Sequence, residues 1–216
     1  MQIADKIANY GMTCSGELAH HITTLVVEEN ITKIIETGSF LGLGTTRAVL
    51  TGLNIHKLRY QFISIEVNPH YYRQAKDNNI GTDVSFINAL SIPRKLLPVN
   101  ITYEGLPSSV IVDHQDPQNY LKEVNFRVPD AMLNLAGEMK PELVILDSAG
   151  HLGLIEFKYL MSVIPNHEFY LVLDDIGHFK HYHTMQLIET LPEKFDIVWR
   201  SEDSEAHQAA IIKVNA

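Results

Sequence analysis

Carboxylates that close apolar runs carry most of the chemistry legible in this sequence. Glu36 closes the run of Ile31, Ile34 and Ile35, Glu66 closes Phe62 to Ile65, Asp147 closes Leu143 to Leu146, and Asp174 and Asp175 close Tyr170 to Leu173. Short apolar runs of this kind read as buried strands, so the acids sit at strand tips. In a doubly wound sheet the ligand lies beyond the carboxyl ends of the strands, where these acids converge together with Asn88 of VSFINALSIP. Carboxylates brought together repel one another and raise each other's pKa unless a cation neutralises them, and oxygen-only ligation selects Mg²⁺, Ca²⁺ or Mn²⁺. Asp147, Asp174 and Asp175 are therefore the expected metal ligands. Glu66 follows the second strand, about 20 residues beyond a glycine turn, where a carboxylate can accept both hydroxyl hydrogens of a ribose.

That turn is TGSFLGLGTT, with Gly38, Gly42 and Gly44 between the first apolar run and a helix start at Thr45. Glycine admits positive φ and close approach of a ligand, and the helix that follows aims backbone N–H groups back at the turn. Strand, turn and helix together make a unit for a nucleotide-like ligand, with Ser39 and Thr45 among its residues. For proton transfer the candidates are His151 and His178, each a few residues beyond an acid, because an imidazole titrates near neutrality. The bland alternative is a helix-start histidine bonded to the loop, and Lys180, His181 and His183 read that way.

The elements that must position these groups alternate between strand and helix, which gives an α/β class. A helix covers about Gly16 to Glu29, capped by Ser15 or Thr13, with Leu18, Ile22, Leu25 and Val26 on one face. Further helices run from Thr45, from Pro69, over about Leu152 to Val163 and over about Tyr182 to Leu191. FDIVWR and QAAIIKV form a terminal hairpin. From Pro93 to Gly137 the periodicity breaks down, and an insertion is expected, with a short strand at Val110 to Val112 and helices near Gln118 to Val124 and Asp130 to Met139. It reads as a lid, a substrate-selecting wall or an oligomer contact such as that of a homodimer. The 216 residues suit a single domain, and 45% apolar with 20% charged residues is ordinary for a globular chain. A net charge of −9 without a basic cluster disfavours nucleic acid and favours a small-molecule partner. The single cysteine, Cys14, and the lack of a long apolar run point to a cytoplasmic protein without a membrane segment.

Glu36, Gly38 and Gly42 resemble the first motif of the class I S-adenosylmethionine-dependent methyltransferases, while Thr37, Gly38, Gly42 and Gly44 also satisfy the TGxxxGxG of short-chain dehydrogenases. The rest of the chain favours the former. The dehydrogenase Tyr-xxx-Lys spacing occurs only at Tyr72 and Lys76, between the second and third strands, and a terminal hairpin suits a methyltransferase. Asp147, followed by Asp174 and Asp175, is similar to the acid pattern of metal-dependent, catechol-type and bacterial natural-product O-methyltransferases. That resemblance implies a Rossmann-like sheet of seven strands in the order 3-2-1-4-5-7-6, with strand 7 antiparallel and helices on both faces. It also implies S-adenosylmethionine as cofactor and transfer of its methyl group to a small-molecule hydroxyl, assisted by the metal. Gly38, Gly42 and Gly44, with Ser39 and Thr45, would line its amino-acid moiety and Glu66 its ribose. Glu36 would steady the turn or face the sulfonium, Asn88 and Ala89 would flank the adenine, and Asp147 would face both cofactor and acceptor. The catalytic lysine of the catechol type is replaced by Gly150, so His151 or His178 is the expected base. A nucleotide-binding module without catalysis is the remaining alternative.

Overall fold

The apolar runs pair into one seven-stranded sheet in the computed structural model, which describes residues 16–57, 59–100, 105–110, 112, 127–148, 151–201 and 208–216. Strands β1 (Lys33–Thr37), β2 (Gln61–Glu66), β3 (Val84–Asn88), β4 (Leu143–Leu146) and β5 (Phe169–Leu173) are parallel. β6 (Phe195–Arg200) and β7 (Ala210–Val214) form the hairpin, and β7 enters antiparallel between β5 and β6. The order is β3-β2-β1-β4-β5-β7-β6, as the methyltransferase resemblance implied.

Side chains alternate across each strand, so a run that is apolar throughout feeds two cores. Ile34, Phe62, Leu143, Ile145 and Val172 pack under α1 (Glu17–Glu28) and α2 (Thr45–His56). Their neighbours Ile35, Val144, Leu146, Leu171 and Leu173 face the opposite layer. There they meet α4 (Leu135–Met139), α5 (Gly153–Val163) and α6 (Phe179–Glu189). The remaining helix, α3 (Pro69–Asn78), starts with proline in its first turn and is capped by Asn68, whose side chain accepts the His70 N–H at 2.9 Å.

Several boundaries differ from the sequence reading. Helix α1 begins after Gly16 without a side-chain cap, and Ser15, Thr13, Cys14 and Tyr10 lie outside the described residues. Val110 closes a turn, its N–H donating to Pro107 at 3.0 Å, and neither it nor Val112 is in a strand. The segment Gln118 to Val124 lies outside the described residues. Downstream, the expected helix from Asp130 is a 3-10 turn, Met132–Asn134, that leads into α4. The ends of this insertion are built into the domain rather than hung from it. Leu90 N donates to Pro129, Leu133 N donates to Ser91, and Leu133 and Ala136 are fully buried. Among the described residues no helix is long and apolar enough to cross a membrane.

Candidate functional site

The strand order reverses between β1 and β4, and the carboxyl ends of β1, β2, β4 and β5 open on that switch point. β1 and β4 lie so close there that a Cβ on Gly38 would overlap the Asp147 carbonyl oxygen. Gly38 itself has φ +79° and donates its N–H to Ile65 at 2.8 Å. Gly42 has φ +65°, and a Cβ there would stand 2.5 Å from the Asn79 amide nitrogen. These glycines are thus demanded by chain packing as well as by any ligand. The third, Gly44, precedes α2 and accepts the N–H groups of Arg47 and Ala48.

Glu36 is completely buried and holds the turn to its helix and to the sheet. Its carboxylate accepts the hydroxyls of Thr45 at 2.5 Å, Thr46 at 2.7 Å and Ser64 at 2.6 Å. Burial pushes its pKa up, and the three hydroxyls oppose that shift. Steadying the turn is therefore its observed part, and Thr45 spends its side chain on Glu36. Ser39, in contrast, is buried with a hydroxyl that has no hydrogen-bond partner. A buried orphan hydroxyl inside the turn fits a polar ligand group.

Glu66 is aimed across this turn by two backbone donors. Phe40 N reaches one carboxylate oxygen and Asn68 N the other, both at 2.8 Å. Phe40 adopts φ +47°, a left-handed conformation uncommon outside glycine. Burial lifts the Glu66 carboxyl to about 7 in spite of these bonds. Asn88 stiffens the same strand tip, its side-chain amide donating to the carbonyls of Glu66 at 2.8 Å and Val67 at 3.0 Å, and the buried Ala89 follows it.

The acidic pole assembles as the sequence led one to expect, with carboxylate oxygens of Asp147, Asp174 and Asp175 within 4.8 Å of one another. What the sequence reading misplaced is Lys180. Helix α6 begins at Phe179, not Tyr182, because His178 is its cap, its Nδ1 accepting the Lys180 N–H at 3.2 Å. The early start puts Lys180 on the first turn, where its buried ammonium donates to Asp147 Oδ1 and, at 3.1 Å, to Asp175 Oδ2. Burial alone would lower the pKa of this lysine, but Asp147, Asp175 and Asp174 more than offset that and hold it charged. The Asp147 carboxyl is pushed up to about 6 by burial, against the pull of Lys180. Asp174 is raised well above the ordinary range by burial and by its two acidic neighbours. Oxygen donors of this kind suit a hard divalent ion, which would share the pole with the Lys180 ammonium. An ammonium and a divalent ion sharing these carboxylates at about 4 Å would repel by roughly 8 kcal/mol at an effective dielectric of 20.

The two histidines expected as bases are placed differently. The Nδ1 of His178 is committed to the helix cap, so taking a proton there would cost the cap. His151 stands before α5 with its ring 5.3 Å from that of Phe179. Behind the pole, His181 is fully buried and donates from Nε2 to the Leu146 carbonyl at 3.0 Å, and burial lowers its pKa to about 3. Sequence reasoning also missed Glu156. It is fully buried on α5 and accepts the hydroxyls of Ser91, after β3, and of Ser148, beside Asp147, at 2.7 Å for the latter. A glutamate on an apolar helix face was the available signal.

Helices α5 and α6 meet at Gly153, where a Cβ would overlap the Lys180 carbonyl oxygen and stand 2.7 Å from the His181 ring. Gly153→Ala should therefore destabilise the fold by about 1–3 kcal/mol through overpacking, as read by urea denaturation. An unchanged midpoint would show that α6 is not pinned there.

The sequence matches no protein-family model and no curated protein. Solved structures do share the architecture. An O-methyltransferase from Bacillus cereus in complex with S-adenosylhomocysteine superposes with a TM-score of 0.59 at 13% identity, over 99% of this chain and 86% of that one. A Staphylococcus aureus protein described as a candidate caffeoyl-CoA O-methyltransferase gives 0.60 at 12%, over 98% and 90%. The O-methyltransferase TomG from Streptomyces achromogenes, involved in tomaymycin synthesis and bound to S-adenosylmethionine, gives 0.55 at 8%, over 98% and 85%. At such identities the likeness establishes the fold alone, a Rossmann-like seven-stranded sheet shared with these O-methyltransferases.

Proposed function

We propose that this chain is an S-adenosylmethionine-dependent methyltransferase that acts on the hydroxyl of a small molecule. The observation that carries the reading is Glu66. Its buried carboxylate, aimed by Phe40 N and Asn68 N, lies across a glycine turn whose Ser39 hydroxyl awaits a partner. Ribose hydroxyls would take the remaining lone pairs of Glu66, and Ser39 with the start of α2 would take the amino-acid end. The antiparallel β7 and the fold shared with O-methyltransferases support the same reading over a dehydrogenase.

When bound, the cofactor supplies a methyl group on a positively charged sulfur, open to direct displacement by an oxygen nucleophile. The chain's own task is to hold that oxygen in line and to remove its proton. Asp147 and His151 are the groups we assign to proton removal, with Lys180 orienting the oxygen and neutralising the acids. In a second reading a divalent ion, Mg²⁺, Mn²⁺ or Ca²⁺, held by Asp147, Asp174 and Asp175 would lend Lewis-acid charge to the acceptor. It is favoured by the convergence of these carboxylates and requires Lys180 to move. The net charge of −9 supports a small-molecule acceptor over nucleic acid, and the insertion from 93 to 137 would shape its pocket.

An acceptor library screened by release of S-adenosylhomocysteine tests the function. Turnover should appear with hydroxyl compounds, whereas oxidation of an alcohol by NAD without any methyl transfer would refute the reading. Glu66→Ala should weaken cofactor binding by roughly 1.5–3 kcal/mol, since charge-assisted hydrogen bonds are lost. Because the Glu66 carboxyl sits near 7 before binding, cofactor affinity should rise from pH 6 to pH 8 and binding should release a proton. Calorimetry in buffers of different ionisation enthalpy would detect that proton, and a pH-independent affinity would take Glu66 out of the site.

A further inference from the structure

We infer that Lys180 is the resident cation of the acidic pole, occupying from within the chain the place that a divalent metal would take between Asp147 and Asp175. The site then binds no Mg²⁺, Mn²⁺ or Ca²⁺ while that lysine is present. The inference rests on the proposed methyl transfer for what the cation acts upon, but the charge arrangement stands independently of it.

The position of the ammonium is fixed by the fold rather than by a wandering side chain. The Lys180 N–H is bonded to His178, and the Lys180 carbonyl is backed by Gly153 so closely that no Cβ fits between them. From this pinned backbone the buried side chain reaches Asp147 and Asp175 together. Asp175 meets it from a left-handed backbone conformation, φ +61°, that aspartate tolerates better than most residues. Asp174 commits Oδ1 to the Asp175 N–H at 3.0 Å. One oxygen each of Asp147 and Asp175 is thus already engaged by a charge of the same sign as the metal. An ammonium has three N–H donors, and Lys180 uses two. Its third has no acceptor among the described residues, so an acceptor oxygen arriving at the pole would complete the set. Lys180 thereby does the orienting and charge-stabilising part of a metal's work, without its ability to ionise a bound hydroxyl as strongly.

Mn²⁺ titration followed by electron paramagnetic resonance tests this without any turnover. The wild-type chain should show only weak binding that Asp147→Asn and Asp175→Asn leave unchanged. Lys180→Met, which keeps the stem and removes the charge, should create a site about 100-fold tighter, because a divalent ion no longer meets an ammonium. That site should disappear on adding Asp175→Asn. A wild-type site that Asp147→Asn or Asp175→Asn abolishes would overturn the inference, as would a folded Lys180→Met chain that gains no site. If Lys180→Met does not fold, the wild-type titration with the two Asp→Asn variants decides alone. S-adenosylhomocysteine calorimetry on the same samples in EDTA reports separately on the methyltransferase reading.

Discussion

Lys180→Met should lower stability by about 3–5 kcal/mol at pH 8, because it leaves buried aspartates without their cation. Its pH dependence should identify the cause. Carboxyls whose folded pKa is raised favour the fold below their unfolded value near 4, and that contribution is lost as pH rises through the folded value, about 6 for Asp147. Removing the lysine raises these carboxyls further, so the variant's deficit should be large at pH 8 and shrink toward pH 5 as Asp147 and Asp174 take up protons. Adding Asp175→Asn should recover part of the loss at pH 8 in a double-mutant cycle. Urea denaturation at the two pH values measures this directly. A deficit equal at both would mean that lost packing, rather than charge, is responsible.

The second large effect is expected at Glu36. Glu36→Ala should cost roughly 3–5 kcal/mol, since the buried hydroxyls of Thr45, Thr46 and Ser64 lose their acceptor and a cavity opens under the turn. Glu36→Gln should cost only about 1–2 kcal/mol, because hydroxyl rotors can turn to accept from an amide and the side-chain volume is kept. The Ala variant should also lose cofactor affinity, since Glu36 fixes the start of α2 relative to β2. Denaturation and ligand calorimetry on both variants separate these effects. Equal losses in Ala and Gln would show that Glu36 must be ionised, against the upward push that its burial exerts.

The strand tips at the site were legible because β1, β2, β4 and β5 are short apolar runs ended by an acid, and local pattern decides such elements. Glu66 and the Asp147, Asp174 and Asp175 cluster follow from that pattern together with the sheet topology. Lys180 was not legible as a site residue. Its role depends on where α6 begins, and that depends on His178 acting as a cap, a shift of about three residues that periodicity does not resolve. The convergence of three acids was readable, whereas the lysine that lies among them, carried by the next helix, was not. The roles of Gly38 and Gly42 were read as ligand clearance, yet Asp147 and Asn79 already fill the space a Cβ would need, a tertiary contact that sequence spacing does not reveal. Glu156 was passed over for the same reason, its partner Ser91 lying 65 residues away in the chain.

The central claim is that the glycine turn and Glu66 bind S-adenosylmethionine, and calorimetric titration with S-adenosylhomocysteine tests it most directly. The account predicts saturable binding to one site per chain, persisting in EDTA and strongly weakened by Glu66→Ala, with no response to NAD(H). Binding of NAD(H) together with no heat from S-adenosylhomocysteine would contradict it.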